Sequence, residues 1–173
     1  MSYYEIEDLE LINQHFPLPI EIKSQILTEE EVNNRIKKKE NPIKISILKW
    51  ERLYNALIFI SNKSAPNYYY KDLYNQIGFK TCALCLTSIN KAERQKIELI
   101  YDSDKCSLCP LTKIESCTSN NSVFRNIESI LRLGYLYLES LYTSKSNEVI
   151  KDEHSNLILL TQKMIENLKE LKE

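Results

Sequence analysis

Apolar residues recur at helical spacing in three long stretches of the chain. In the first, Ile43, Ile47, Trp50, Tyr54, Leu57 and Ile58 fall mostly three or four positions apart, which gathers them on one face of a helix. Asn41-Pro42 in front of them offers an N-cap and a proline at the first helical position, so the pattern predicts a helix over 42–61. The second, VFRNIESILRLGYLYLESLY (123–142), aligns Phe124, Ile127, Leu131, Gly134, Leu138 and Leu141. A glycine inside a helix costs about 1 kcal/mol against alanine, and a close approach of another element at Gly134 is the expected reason for it. The third aligns Ile150, His154, Leu157, Thr161, Met164, Leu168 and Leu171 and predicts a last helix ending near 171.

Shorter signals fill the gaps. Thr28 with Glu31 three residues on is a capping box, which predicts a helix over 29–39. Phe16-Pro17-Leu18-Pro19 breaks whatever precedes it, and residues 1–14 read equally as a strand or a short helix. SNKSAPN (61–67) reads as a loop, and YYYKDLYNQI as a short helix ending at Gly78. KIELIY (96–101) is the best strand candidate, with DSD after it as a turn. The expected fold class is mainly α: a helical, bundle-like body with an inserted knuckle region that holds a short β element. As one domain, it divides into an acidic arm and first helix (1–40), a Trp-bearing helix and loop (41–77), a four-cysteine knuckle (78–117) and a C-terminal helical pair (118–173).

Composition narrows the class. A chain of 173 residues can bury a sizeable core unaided, so any metal would organise a region and not rescue the whole fold. Two glycines are too few for a fold of many tight hairpins. The start, MSYYEIEDLELI, lacks a basic region followed by an apolar one, and no apolar run nears the roughly 18 residues of a membrane span. The expectation is a soluble, cytoplasmic protein without membrane contact, a setting that favours metal ligation by cysteine over disulfides.

Charge is unevenly spread around a net −1. Residues 1–34 carry one lysine against eight acids, and 35–54 carry seven basic residues against two acids. The basic segment RIKKKENPIK reads either as a solvated helix face or as a patch for a phosphate backbone. Arg35, Lys37, Lys38 and Lys39 are its candidate contacts, with Tyr68, Tyr69 and Tyr70 as stacking candidates for bases.

The five cysteines all lie between Thr81 and Cys117. Cys82-x2-Cys85 and Cys106-x2-Cys109 are separated by twenty residues, and Cys117 follows after seven more. Each C-x2-C turn lets two thiolates reach one ion, and two such turns complete a tetrahedron of sulfurs around zinc. Four protein ligands leave no open position, so one structural zinc ion on Cys82, Cys85, Cys106 and Cys109 is expected, with Cys117 a free thiol or a substitute ligand. An iron–sulfur cluster, a redox dithiol and a disulfide framework are the rival readings.

The arrangement also resembles a group of small, mostly uncharacterised proteins encoded by bacteriophages and archaeal viruses. They share a Trp-bearing helix, C-x-L-C, C-x-x-C-P, a lone cysteine and a helical tail. Here these read LKWERL (48–53), CALC (82–85), CSLCP (106–110), Cys117 and the helices beyond it. The likeness spans roughly residues 45 to 125 and departs after the last cysteine. There the family's Thr-Pro-Tyr-like turn is replaced by Thr118-Ser119-Asn120-Asn121. The resemblance implies a viral setting, a role for Cys117, and a host defence complex as one kind of partner; it carries no assigned activity.

Catalytic motifs are missing from the sequence. No H-x-E with P-C-x-x-C is present, nor a Gly-rich phosphate loop or a G-x-S-x-G. The two histidines, His15 and His154, are a loop residue and a member of an apolar stripe, the latter expected to be a hydrogen-bonded core residue. The expectation is a non-enzymatic binding protein that engages a protein partner, a host factor or a second copy of itself through YLYLESLY. The alternative is a regulatory protein that binds nucleic acid through the zinc knuckle, the 35–49 basic segment and Tyr68–Tyr70.

Overall fold

The computed structural model describes residues 16–96, 106, 108–139 and 146–171. Seven α-helices are found among them: α1 (Ile20–Lys23), α2 (Glu29–Lys37), α3 (Pro42–Ser61), α4 (Tyr70–Tyr74), α5 (Ala83–Arg94), α6 (Val123–Glu139) and α7 (Asn147–Glu170). Three 3-10 turns join them, Pro66–Tyr69, Phe79–Thr81 and Pro110–Lys113. The described residues contain no strand. The strand expected over KIELIY and the reading of 1–14 fall outside them, as do positions 140–142 of the second predicted helix.

Local chemistry sets the helix ends. Thr28 and Glu31 form the reciprocal capping box: Oγ1 of Thr28 accepts from the Glu31 N–H at 3.2 Å, and Oε2 of Glu31 accepts from the Thr28 N–H at 2.8 Å. Asn41 Oδ1 accepts from the Ile43 N–H at 2.8 Å, ahead of Pro42 at the helix start. Between these helices the chain turns through Lys39 at φ 59°. The Glu40 N–H donates to Arg35 O and the Lys39 N–H to Ile36 O, the paired bonds that close a helix through a left-handed residue.

α3 packs on two sides. One side meets α7 and α6, burying Trp50, Leu53, Leu57 and Ile60 against Ile127, Leu131, Leu157, Met164 and Leu168. The other holds a smaller core of Leu27, Val32, Ile45 and Ala83 under α2 and α5. This shifts the buried stripe from the one expected. Ile45, Lys49, Leu53, Ala56 and Ile60 are buried, whereas Ile43, Ile47 and Tyr54 are half-buried and Ile58 is exposed. A single-face reading favoured the isoleucines and passed over a stripe containing a lysine and an alanine. A helix clamped on two sides needs both.

α7 buries the expected stripe from His154 to Leu171, with Ile150 half-buried. Burying each leucine or isoleucine of this interface contributes about 1.5–3 kcal/mol. The expected close approach at Gly134 is real. The Tyr70 ring from α4 lies against it, and a Cβ there would overlap ring atoms Cδ2 and Cε2. The Tyr70 hydroxyl reaches His154 Nδ1 at 2.8 Å, and His154 Nε2 reaches Leu57 O at 3.0 Å. Because the carbonyl only accepts, Nε2–H donates to it, and Nδ1 accepts from the tyrosine.

Candidate metal centre

The thiol region is positioned by helix ends. Cys82 is the N-cap of α5 and Cys85 lies in its first turn, so the first C-x2-C opens a helix that the sequence reading did not foresee. Ala83 anchors this turn in the small core against Ile45 of α3. The Cys109 N–H donates to Cys106 O at 3.0 Å, which closes the second C-x2-C as a tight turn. Cys109 then caps the 3-10 turn Pro110–Lys113. Cys117 is held from the start of α6: the Ser122 hydroxyl donates to Cys117 O at 3.2 Å and accepts from the Arg125 N–H at 3.1 Å. Nearby, a Glu115 carboxylate oxygen accepts from the Val123 N–H at 2.8 Å.

These anchors bring the thiols together. All five cysteines are free of disulfides. Cys82, Cys85 and Cys106 are near enough to act on one another's ionisation. Cys109 and Cys117 lie close enough for the charges of Cys82 and Cys106 to raise them. Among the described residues, however, no group of three or more His, Cys, Asp or Glu side chains is set as ligands around a point where a metal ion would sit. The sulfurs are neighbours without forming a closed tetrahedron.

A residue the sequence reading missed stands beside them. Lys49, 2 % exposed, extends from α3 into a cavity of about 250 Å³ that Cys82, Cys85, Cys106 and Cys117 also line. Its ammonium donates to Thr81 Oγ1 at 2.9 Å and lies 5.5 Å from the Trp50 ring centre. Trp50 meets Phe124 of α6 edge-on, with ring centres 6.4 Å apart. One turn before Lys49, Ser46 lines the same cavity, and its buried hydroxyl has no hydrogen-bond partner among the described residues. No sequence motif marks Lys49; its place one residue before the apolar Trp50 on a two-sided helix is the only available signal.

The electrostatics separate the thiols. The Cys85 hydrogen bond, the Lys49 ammonium and the backbone N–H groups of Cys85 and Leu84 together favour the thiolate of Cys82 over the opposing effect of burial. Cys85 is pushed strongly up, first by its hydrogen bonding with Cys106 and Cys82 and then by burial. Burial raises Cys109 to about 11 and Cys117 to about 12, although the Leu111 and Thr112 N–H groups act in favour of the Cys109 thiolate. Burial lowers Lys49, and the thiols Cys82, Cys85 and Cys117 act against that lowering. Cys82 is thus the thiol whose ionisation the chain favours, while burial opposes that of Cys109 and Cys117.

Sulfur donors in two short turns are of the kind that suits a soft dication. Of the four expected ligands, Cys82, Cys85 and Cys106 line the cavity; Cys117 lines it with them, and Cys109 is not among its lining residues. Such an ion supplies the charge that ionises coordinating thiols.

The nucleic-acid candidates do not form one surface feature. Lys37, Lys38 and Lys39 are exposed, while Arg35 pairs with Glu40 at 2.8 Å. Tyr68 is half-buried and stacks on Phe16, with ring centres 4.9 Å apart, and Tyr69 packs against the main core. Tyr70 is 1 % exposed and offers no face to a base; its ring fills the space over Gly134, so it leaves the candidate set. No helix among the described residues is long and apolar enough to cross a membrane. No family model, curated protein or solved structure matches the chain.

Proposed function

We propose that the chain is a non-enzymatic, intracellular binding protein, stabilised by one structural zinc ion and acting through contact with a protein partner. The observation that carries this reading is the convergence of both C-x2-C turns and Cys117 around one cavity at the junction of α3, α5 and α6. An ion there would tie the first half of the chain to the second. With four sulfur ligands it leaves no position for substrate, which favours a binding role over catalysis. A docking surface is consistent with Leu133 and Leu136, exposed on α6 beside Arg132 and Ser129. The resemblance to phage and archaeal-virus proteins makes a host factor the natural class of partner, and a second copy of the chain the simplest one.

Elemental analysis of the purified protein, run beside a DNA mobility titration at two salt concentrations, tests the reading. One zinc per chain with no salt-sensitive shift is the expected result. Iron, or no metal, overturns the metal centre. Zinc with a steeply salt-dependent shift replaces the protein-binding role by nucleic-acid binding through Lys37, Lys38 and Lys39.

A further inference from the structure

A dication held by four thiolates carries two net negative charges, and burying them in an apolar cavity is costly unless a cation stands close. Two cationic side chains line this cavity, Lys49 and Arg125. Arg125 is bound to Glu128 at 2.6 Å, and both are partly exposed at the rim, so its charge is largely offset. Lys49 is different: it is buried, and among the described residues its hydrogen-bond partner is a neutral hydroxyl, Thr81 Oγ1. That hydroxyl donates its own proton to Gln76 O at 2.6 Å, so it meets Lys49 as an acceptor and fixes the ammonium beside Cys82. An ammonium has three N–H groups, which leaves donors to direct at sulfur. Ser46, with a buried hydroxyl that has no partner among the described residues, adds another donor from the same face of α3.

We propose that Lys49 is the built-in counter-charge of the thiol centre, a positioning residue whose buried ammonium compensates the thiolates and sets the affinity of the site for a thiophilic dication. This explains a lysine on the buried stripe of α3, where a leucine would pack at no electrostatic cost. The inference rests on the metal reading above and fixes the sign of the site's environment.

The test is chelator competition for Zn²⁺, with Co²⁺ absorption as a second probe, on the parent chain and on Lys49→Met and Lys49→Arg. Lys49→Met is expected to weaken Zn²⁺ binding by about 10–100-fold. It should keep the parent's Co²⁺ tetrathiolate spectrum, since no ligand is removed. In EDTA its unfolding midpoint is expected to stay near or above the parent's, because an apolar side chain of similar length replaces a buried amine at no desolvation cost. Lys49→Arg is expected to recover part of the lost affinity. Equal Zn²⁺ affinity in Lys49→Met overturns the proposal while leaving the metal centre intact. A Lys49→Met chain that is unfolded in EDTA also overturns it, since the lysine would then be a packing residue. A parent chain that binds neither Zn²⁺ nor Co²⁺ removes the metal reading itself.

Discussion

α3 serves two sites that treat buried polarity in opposite ways. Toward its C-terminal end, Leu57 O accepts from His154, and His154 accepts from Tyr70, at 3.0 and 2.8 Å. That site is closed by protein alone. Toward its N-terminal end, the Ser46 hydroxyl has no partner among the described residues, and Lys49 shares a cavity with four thiols. A satisfied buried pair adds about 1 kcal/mol to stability, whereas an uncompensated buried charge subtracts from it. The difference teaches that the Tyr70 end of the protein closes its polar groups on one another, whereas the Lys49 end leaves them around a cavity.

The strongest way to break this contrast is to remove a ligand. Cys82→Ser and Cys106→Ser are expected to lose the metal and several kcal/mol of stability in zinc-containing buffer, because structural zinc binding is folding free energy. In EDTA the same variants should unfold near the parent's midpoint. Cys117→Ser is expected to keep its zinc, and metal loss in Cys117→Ser equal to that in Cys82→Ser would reassign the ligand set.

Gly134→Ala attacks the opposite end. The added methyl would meet the Tyr70 ring, and overpacking of this kind costs about 1–3 kcal/mol, against the gain of roughly 1 kcal/mol that alanine brings to an open helix. Denaturant titration should show net destabilisation with zinc content unchanged. An increase in stability would mean that Tyr70 moves aside freely.

The smallest effect is one of pH. Burial lowers the pKa of His154 below 6.5, more than its bond to Leu57 O restores. Above pH 6.5 the histidine is neutral in both folded and unfolded chains, and its contribution is fully present. As pH falls from 6.5 toward the lower folded value, only the unfolded chain takes up the proton. Stability then drops by at most about 1.4 kcal/mol per pH unit. Comparing the parent with His154→Gln in EDTA between pH 7 and 5 isolates this term; parallel pH profiles would show that His154 titrates normally.

Much of the frame was legible without coordinates. The capping box at Thr28, the Asn41-Pro42 start, the Gly134 contact and the stripe from His154 to Leu171 each follow from short-range rules: hydrogen-bond chemistry within one helical turn, or a period of 3.6 residues. The cysteine spacing led to a four-sulfur site on Cys82, Cys85, Cys106 and Cys109, whereas the cavity is lined by Cys82, Cys85, Cys106 and Cys117. Three features did not follow. α5 was hidden because its start carries cysteines in place of an oxygen cap. Tyr70 read as a stacking surface because sequence does not tell an exposed tyrosine from one pressed on a glycine sixty-four positions away. Lys49 read only as one of the seven basic residues of 35–54, with nothing in the sequence to mark its burial.

What the sequence determined by itself is therefore the helices, their caps and the supply of thiols, since each depends on neighbours a few residues apart. What only the tertiary structure decided is which polar groups are buried. α3 is covered on one side by α6 and α7 and on the other by α2 and α5, and that double covering places an ammonium among the cysteines. Burial of this kind depends on elements tens of residues apart meeting at one helix, and no local pattern encodes it.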